Sequence, residues 1–396
     1  MRGRLGQISG AVVASGLVLS GCAHFDDRAA GQTFQPAPEL SAAAGPQPSL
    51  PEIDGSSRSG TARPGPTSTS IPPPQGCTDY DKAVIATCLD TVSAVAALPG
   101  DTSEPSALAA ERKSGRVLQV AAGSAATEIA RLTVDAGSDG GLTGLALSPR
   151  YTEDQLVFAY ITTAADNRVV RFAKGQQPKP ILTGIPKGTT GNRGAIMSDG
   201  TALLVATGDA GDAASAANPN SLAGKVLRID TAGNPAPGNP TAGSRVYASG
   251  LHTPGGLCKS SDGARIWVTD REPDRDAVYK IQPGTSLSVP AWTWADKPGL
   301  AGCVDGSQLL LIGASIAGNI QNLPITPDGS VGGVPKATMD GKSGRSFGRL
   351  AGMDMLNSQY ALAGTVNRDG GQPVSSDDRV VVVQIQPSPD GGSGKD

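Results

Sequence analysis

The residues best equipped for chemistry lie in the stretch 191–230, GNRGAIMSDGTALLVATGDAGDAASAANPNSLAGKVLRID. It reads as strand, turn, strand, a long acidic and Asn-rich loop, then another strand. Loops of this kind often carry function, because a rigid scaffold can aim them. Asp209 and Asp212 lie in the loop, with Asn218 and Asn220 downstream. Carboxylate, amide and carbonyl oxygens together suit a hard cation such as calcium. The same residues suit a solvated turn closed by Asx hydrogen bonds, which is the preferred reading. A second acidic run holds Asp270, Glu272, Asp274 and Asp276, interleaved with Arg271 and Arg275. The arginines argue for internal ion pairs over a metal. His252 is one of two histidines, and His24 falls near the N-terminus. With no CxxC and one histidine in the folded part, zinc has no ligand set. No G-x-S-x-G occurs and no histidine neighbours a nucleophile, so a hydrolase has no visible constellation. Trp292 and Trp294 read as core rather than as a sugar platform.

Positioning these residues falls to a repeat. A Gly-flanked apolar strand, a polar turn, a second apolar strand, a polar loop and a third strand recur along residues 91–385. The copies open at VSAVAALPG, GLTGLALSP, GNRGAIMSDG, PGGLCKSSDG, AGCVDGSQ (a weaker copy) and GRLAGMDMLN. The spacing, about 45–60 residues with three or four short strands per unit, predicts a six-bladed β-propeller, an all-β fold. No unit can bury its sheet faces alone, so the six pack around a central channel. The last strand, DRVVVVQI, should close the ring with early-chain residues or within the sixth repeat, which removes sheet edges. Abundant Gly (53) and Pro (31) with 4% aromatics agree with many short elements joined by turns.

The chain ahead of the repeats has its own logic. Arg2 and Arg4, an apolar run from Ile8 to Leu19, and Leu19-Ser20-Gly21-Cys22 form a lipoprotein signal with a lipobox. Residues 1–22 are thus expected to be the signal, with Cys22 acylated. The lipid would anchor the protein to the cell membrane on its extracytoplasmic face. Residues 23–76 are rich in Pro, Ser and Gly and read as a disordered tether. The propeller is expected over 77–388 and a short disordered tail over 389–396. A net charge of −3 offers no basic face for nucleic acid. Four cysteines remain beyond Cys22. Cys77 and Cys88 are close together at the domain entrance and are expected to pair. Cys258 and Cys303 fall at equivalent places in the first strands of repeats four and five. They would either bridge adjacent blades or remain buried thiols, and export favours the bridge.

SALAAERKSGRVLQV, DGGLTGLALSPRYTEDQLVFAYIT, VATGDAGD, NPNSLAGKVLRID and GLHTPGGLCKSSDGARIWVTD together resemble the soluble quinoprotein glucose/sorbosone dehydrogenases. The resemblance covers roughly Ala107 to Ile281. With the lipobox and Pro-rich tether in front, the whole chain resembles a mycobacterial lipoprotein of that kind. The resemblance implies pyrroloquinoline quinone in the channel over a bound calcium, a histidine base, and arginines steadying the quinone carboxylates. Aligned this way, Gly191 falls where the catalytic histidine should stand, beside Asn192 and Arg193. His252 and Thr253 fall on the family's Arg-Asn pair. Asp139 matches an acidic position at the channel rim, or simply starts a turn. The resemblance therefore places Asp139, Asn192, Arg193 and His252 at the channel, with no confident catalytic group. Two functions follow. The preferred one is a binding or scaffold propeller for a small sugar-like ligand or an envelope protein. The other is a quinone- and calcium-dependent dehydrogenase of an aldose or polyol, with His252 as a substitute base.

Overall fold

The computed structural model describes residues 71–342 and 345–385. The expectations on the signal, Cys22, the tether up to residue 70 and the tail from 389 onward lie outside the described residues. Among those described, no helix is long and apolar enough to cross a membrane.

Six antiparallel sheets follow one another along the chain, as the repeat period requires. Blade 1 runs through Val92–Ala97, Ser106–Glu111, Arg116–Ala121 and Thr127–Arg131. Blade 2 has Leu142–Leu147, Val157–Thr162, Asn167–Phe172 and Lys179–Ile185. Blade 3 has Gly194–Ser198, Leu203–Thr207, Lys225–Ile229 and Val246–Ser249. It also takes a fifth strand, Thr285–Ser286, paired parallel, which the repeat pattern did not contain. Blade 4 is Pro254–Lys259, Ile266–Arg271, Asp276–Lys280 and Trp292–Trp294. Blade 5 is Leu300–Asp305, Leu309–Ala314, Asn319–Pro324 and Lys336–Thr338. Blade 6 combines Leu350–Met355, Tyr360–Thr365 and Val380–Gln384 with the early strand Val84–Ala86. That last pairing closes the ring as expected, because Val84 lies opposite Val381.

The blades cohere through their middle strands. Val157–Thr162 is buried at every residue, so both of its faces must meet apolar neighbours. Val157, Ala159 and Ile161 pack with Leu108 and Val117 of blade 1. Phe158 and Tyr160 face the other way, toward Leu203 and Leu227 of blade 3. Each blade-to-blade junction has such a core, down to the one between blades 6 and 1 that gathers Val380, Leu362, Val95 and Leu118.

The inner strands form the channel wall and come close enough to need small residues. A Cβ on Gly256 would lie 2.6 Å from Gly302 Cα, and one on Gly352 would lie 2.4 Å from Ala94 Cα. Both disulfides form as expected. Cys77 joins Cys88, and Cys258 joins Cys303 with Cα atoms 5.6 Å apart, tying blade 4 to blade 5. Trp294 is buried in the core beside that bridge, in line with a structural role.

Candidate functional site

Inner strands all run in one sense along the channel. Residues just before an inner strand and residues ending the second strand therefore meet on the same rim. Arg193 precedes Gly194–Ser198 and Arg349 precedes Leu350–Met355. Arg112 follows Ser106–Glu111, and Arg271 ends Ile266–Arg271. These four arginines, from blades 3, 6, 1 and 4, line one cavity of about 200 Å³ together with Asp139, Asp369 and Ser315. Sequence reasoning found Arg193 and Asp139. It missed Arg112, Arg349 and Asp369, and assigned Arg271 to ion pairing.

The arginines differ in how they are held. Arg112 donates to the carbonyls of Ala136, Ser138 and Gly140 and pairs with Asp369 at 2.8 Å. Arg271 donates to the carbonyls of Leu300 and Gly299 and to Ser315. Burial, reinforced by the charge of Arg193, pushes Arg271 down to about 9. Arg275, not Arg271, makes the expected ion pair, 2.9 Å from Glu272. Arg349 donates to the carbonyl of Gly370. Arg193 has no side-chain hydrogen bond or ion pair among the described residues. Its buried Nε is left without a partner, as are those of Arg112 and Arg349. Burial lowers the Arg193 pKa, and the nearby charge of Asp139 works against that. A buried, unpaired donor is costly unless something else completes it. Four arginines face two carboxylates, so the cavity carries a surplus of positive charge.

Asn192 is buried and serves the loop rather than the cavity. Its amide donates to the Gly188 carbonyl at 2.9 Å and to Asp139 at 3.2 Å, and its carbonyl accepts from Gly188 N–H. Asp139 in turn accepts the Asn192 backbone N–H, which fixes the turn presenting Arg193.

Gly191 has no room for a side chain. Its φ is +67°, and a Cβ there would lie 2.6 Å from Asp209 Oδ1 and 2.8 Å from Gly211 N. The position that the alignment gives to a catalytic histidine is thus closed by the acidic loop. Asp209 instead receives an imidazole from the next blade, with His252 Nδ1 2.9 Å from its Oδ2. That hydrogen bond, opposed by partial burial, raises the His252 pKa, and Asp270 and Glu272 add to the rise. Asp270 itself is fully buried, accepts the backbone N–H of His252 and Thr253, and is pushed up to about 7 by burial. His252 is not among the residues lining the arginine cavity. The dyad stands behind the 191–193 turn, in contact with it through Asp209.

The carboxylates weighed for calcium are already engaged. Asp209 Oδ1 accepts Gly211 N–H, while Asp212 accepts Ala214 N–H and the Ser215 hydroxyl as the cap of the short helix Ala213–Ala217. Lys225 fills the loop from below, donating to the carbonyls of Ser215, Ala216 and Ala223. Among the described residues no three His, Cys, Asp or Glu side chains converge as metal ligands. The donor set therefore does not fit calcium at this loop. The arginine cavity does fit a polycarboxylate, because the Arg193 guanidinium lining it makes no hydrogen bond or ion pair among the described residues and the arginines outnumber the carboxylates.

Known proteins can now be set beside this geometry. The model of the Glucose / Sorbosone dehydrogenase family matches residues 90–301, over half of the chain. The PQQ-bound aldose sugar dehydrogenase of Streptomyces coelicolor is 29% identical with a TM-score of 0.69, covering 76% of this chain and 96% of its own. A putative oxidoreductase (glucose dehydrogenase) of Thermus thermophilus is 27% identical with a TM-score of 0.67, covering 76% and 98%. The soluble aldose sugar dehydrogenase of Escherichia coli, 19% identical with a TM-score of 0.64 and covering 76% and 98%, shares the fold. No curated protein matches.

Proposed function

We propose that this chain, which belongs to the glucose/sorbosone dehydrogenase family, is a lipid-anchored binding propeller of the cell envelope. Its arginine-lined channel end would take a small anionic, sugar-acid-like ligand. The carrying observation is Arg193, a guanidinium with no protein partner in a cavity with surplus positive charge. A ligand carboxylate would complete the donors that the fold leaves open, and charge-assisted hydrogen bonds are the stronger kind. The absence of a side chain at Gly191 supports binding without hydride chemistry, since sugar oxidation needs a proton acceptor within hydrogen-bond reach. The lipobox at Cys22 supports the anchored location.

The His252–Asp209 pair favours a second reading, a dehydrogenase with a substitute base. In it Arg112, Arg193 and Arg349 would hold the carboxylates of pyrroloquinoline quinone, which accepts a hydride when bound. His252, oriented by Asp209 through Nδ1, would present Nε2 for a proton.

Calorimetry with gluconate, citrate and glucose separates the readings. Binding of the acids but not of glucose, weakened about 10- to 100-fold in Arg193→Gln, is the expected result. Dye reduction with added quinone, calcium and aldoses, abolished in His252→Ala, would establish the dehydrogenase instead.

A further inference from the structure

The channel has another end. Each inner strand starts at the arginine rim, passes a neck, and finishes at the opposite rim. In blade 6 the progression is Ala351 at the arginine cavity, Gly352 at the neck and Met355 at the far end. The neck encloses only about 40 Å³. The far cavity is larger, about 340 Å³, within the range of ~300–1,000 Å³ typical of small-molecule sites.

The larger part of the wall of that far cavity is apolar. Leu145, Ile196, Met197, Leu257, Met353 and Met355 line it. The whole chain has five methionines, and three of them are here. Their unbranched, polarisable side chains adapt to irregular apolar ligands. The Cys258–Cys303 bridge forms part of the wall and holds two of the six strands together at this rim.

The polar groups are Ser148, Ser198, Ser260 and Ser261 with Asp305, Asp354 and Lys259. Asp305 is spent on Arg265 and on the Trp267 indole. Both carboxylate oxygens of Asp354 accept backbone N–H groups, from Ala97 and Met355. Burial pushes Asp354 up to about 6, which reduces its charge further. Lys259 is different. Its ammonium lies at the rim near Gly200, where a Cβ would be 3.9 Å from Nζ. Among the described residues it has no hydrogen bond and no carboxylate within ion-pair distance, although its charge is felt at Asp354 across the cavity.

From this arrangement we infer that the far end of the channel is a second ligand site, for a linear aliphatic carboxylate. The chain lies against Leu145, Ile196, Leu257 and the methionines, and the head group pairs with Lys259. One unpaired ammonium matches one negative charge. The neck separates this site from the arginine cavity, so the inference stands apart from the function proposed for the other end.

The test is calorimetric titration of the full chain, purified free of detergent, with hexanoate, octanoate and decanoate. Octan-1-ol and octyltrimethylammonium serve as head-group controls. Affinity should rise about fourfold per methylene until the cavity is filled. Lys259→Gln should weaken octanoate about tenfold while leaving octan-1-ol unchanged. Met355→Glu, which places a charge on the apolar wall, should weaken every member of the series. Arg193→Gln should change none of them. Affinity independent of chain length, or octanoate binding unaltered by Lys259→Gln, overturns the inference. Loss of octanoate binding in Arg193→Gln also overturns it, because the carboxylate would then belong to the arginine end.

Discussion

Adding a single methyl group at Gly191 tests how the candidate site is assembled. Two costs can be worked from the structure. The left-handed φ of +67° costs a non-glycine residue ~1–2 kcal/mol. A Cβ 2.6 Å from Asp209 Oδ1 and 2.9 Å from Ala210 N forces the acidic loop outward, an overpacking cost of ~1–3 kcal/mol. Gly191→Ala should therefore destabilise the propeller by ~2–5 kcal/mol. At roughly 2–4 °C per kcal/mol for a domain of this class, the melting temperature should fall by about 4–20 °C. Gly123→Ala is the control, because Gly123 has a φ of +70° but nothing within 4 Å of its would-be Cβ. It carries the backbone cost alone. The same substitution should disturb His252, whose pKa is raised chiefly by Asp209. The chain has only two histidines, so an NMR titration resolves His252 with His24 as internal reference. In Gly191→Ala the His252 midpoint should move down toward its ordinary value near 6.5. Equal melting temperatures for the two alanine variants, with an unmoved His252 midpoint, would refute the account of Gly191 as a position closed by Asp209.

Stability should fall as pH rises from about 4 to 7. Burial pushes Asp354 up to about 6 and Asp270 up to about 7, so in this window the native state holds protons that the unfolded state has released. His252 adds to the same trend, because its raised pKa makes its contribution complete below its unfolded value and lost as pH climbs through the folded one. Melting curves should show a higher transition at pH 5 than at pH 8, with a shallower dependence in Asp354→Asn; a flat profile that Asp354→Asn leaves unchanged contradicts this assignment. Cys22→Ala should abolish lipid labelling and membrane partition of the chain, and retention of both would exclude Cys22 as the anchor.

Much of the fold was legible in the sequence because a propeller repeats itself. Each unit must bury both faces of its middle strand. Runs such as VFAYIT and LLVAT are therefore apolar on both faces up to a closing Thr, buried at every residue, and recur from blade to blade. The same period put Cys258 and Cys303 at equivalent positions on neighbouring inner strands, which left a bridge or two buried thiols, and the expectation of export favoured the bridge that forms. Thr285–Ser286 escaped notice because a two-residue strand has no period. The arginine cavity was harder. Arg112, Arg193, Arg271 and Arg349 each stand alone in their own repeats, and only ring closure brings them together. A signal was present nonetheless: two of them immediately precede an inner strand and two sit at the end of a second strand. Superposing the repeats by strand, not by motif, would have put all four on one rim. The crowding at Gly191 left no such trace. It depends on the left-handed turn and on a loop that folds back from residue 209.

The inner strands explain how one ring can carry different chemistry at its two ends. Their middle residues, Ala94, Gly144, Ala195, Gly256, Gly302 and Gly352, are constrained by the approach of neighbouring strands, and several leave no space for a Cβ. The residues flanking them are free of that constraint. Toward one end the flanking positions run into Arg193 and Arg349, toward the other into Met197 and Met355. Arg193 and Arg349 belong to none of the junction cores, whereas Leu145, Ile196, Leu257 and Met353 at the far end are part of them. This accounts for a chain that keeps the propeller of the glucose/sorbosone dehydrogenase family while Gly191 leaves no room for a side chain. Asp209 holds the loop through Gly211 N–H and the next blade through His252. Replacing it would cost blade packing, whereas the Arg193 side chain makes no hydrogen bond or ion pair among the described residues.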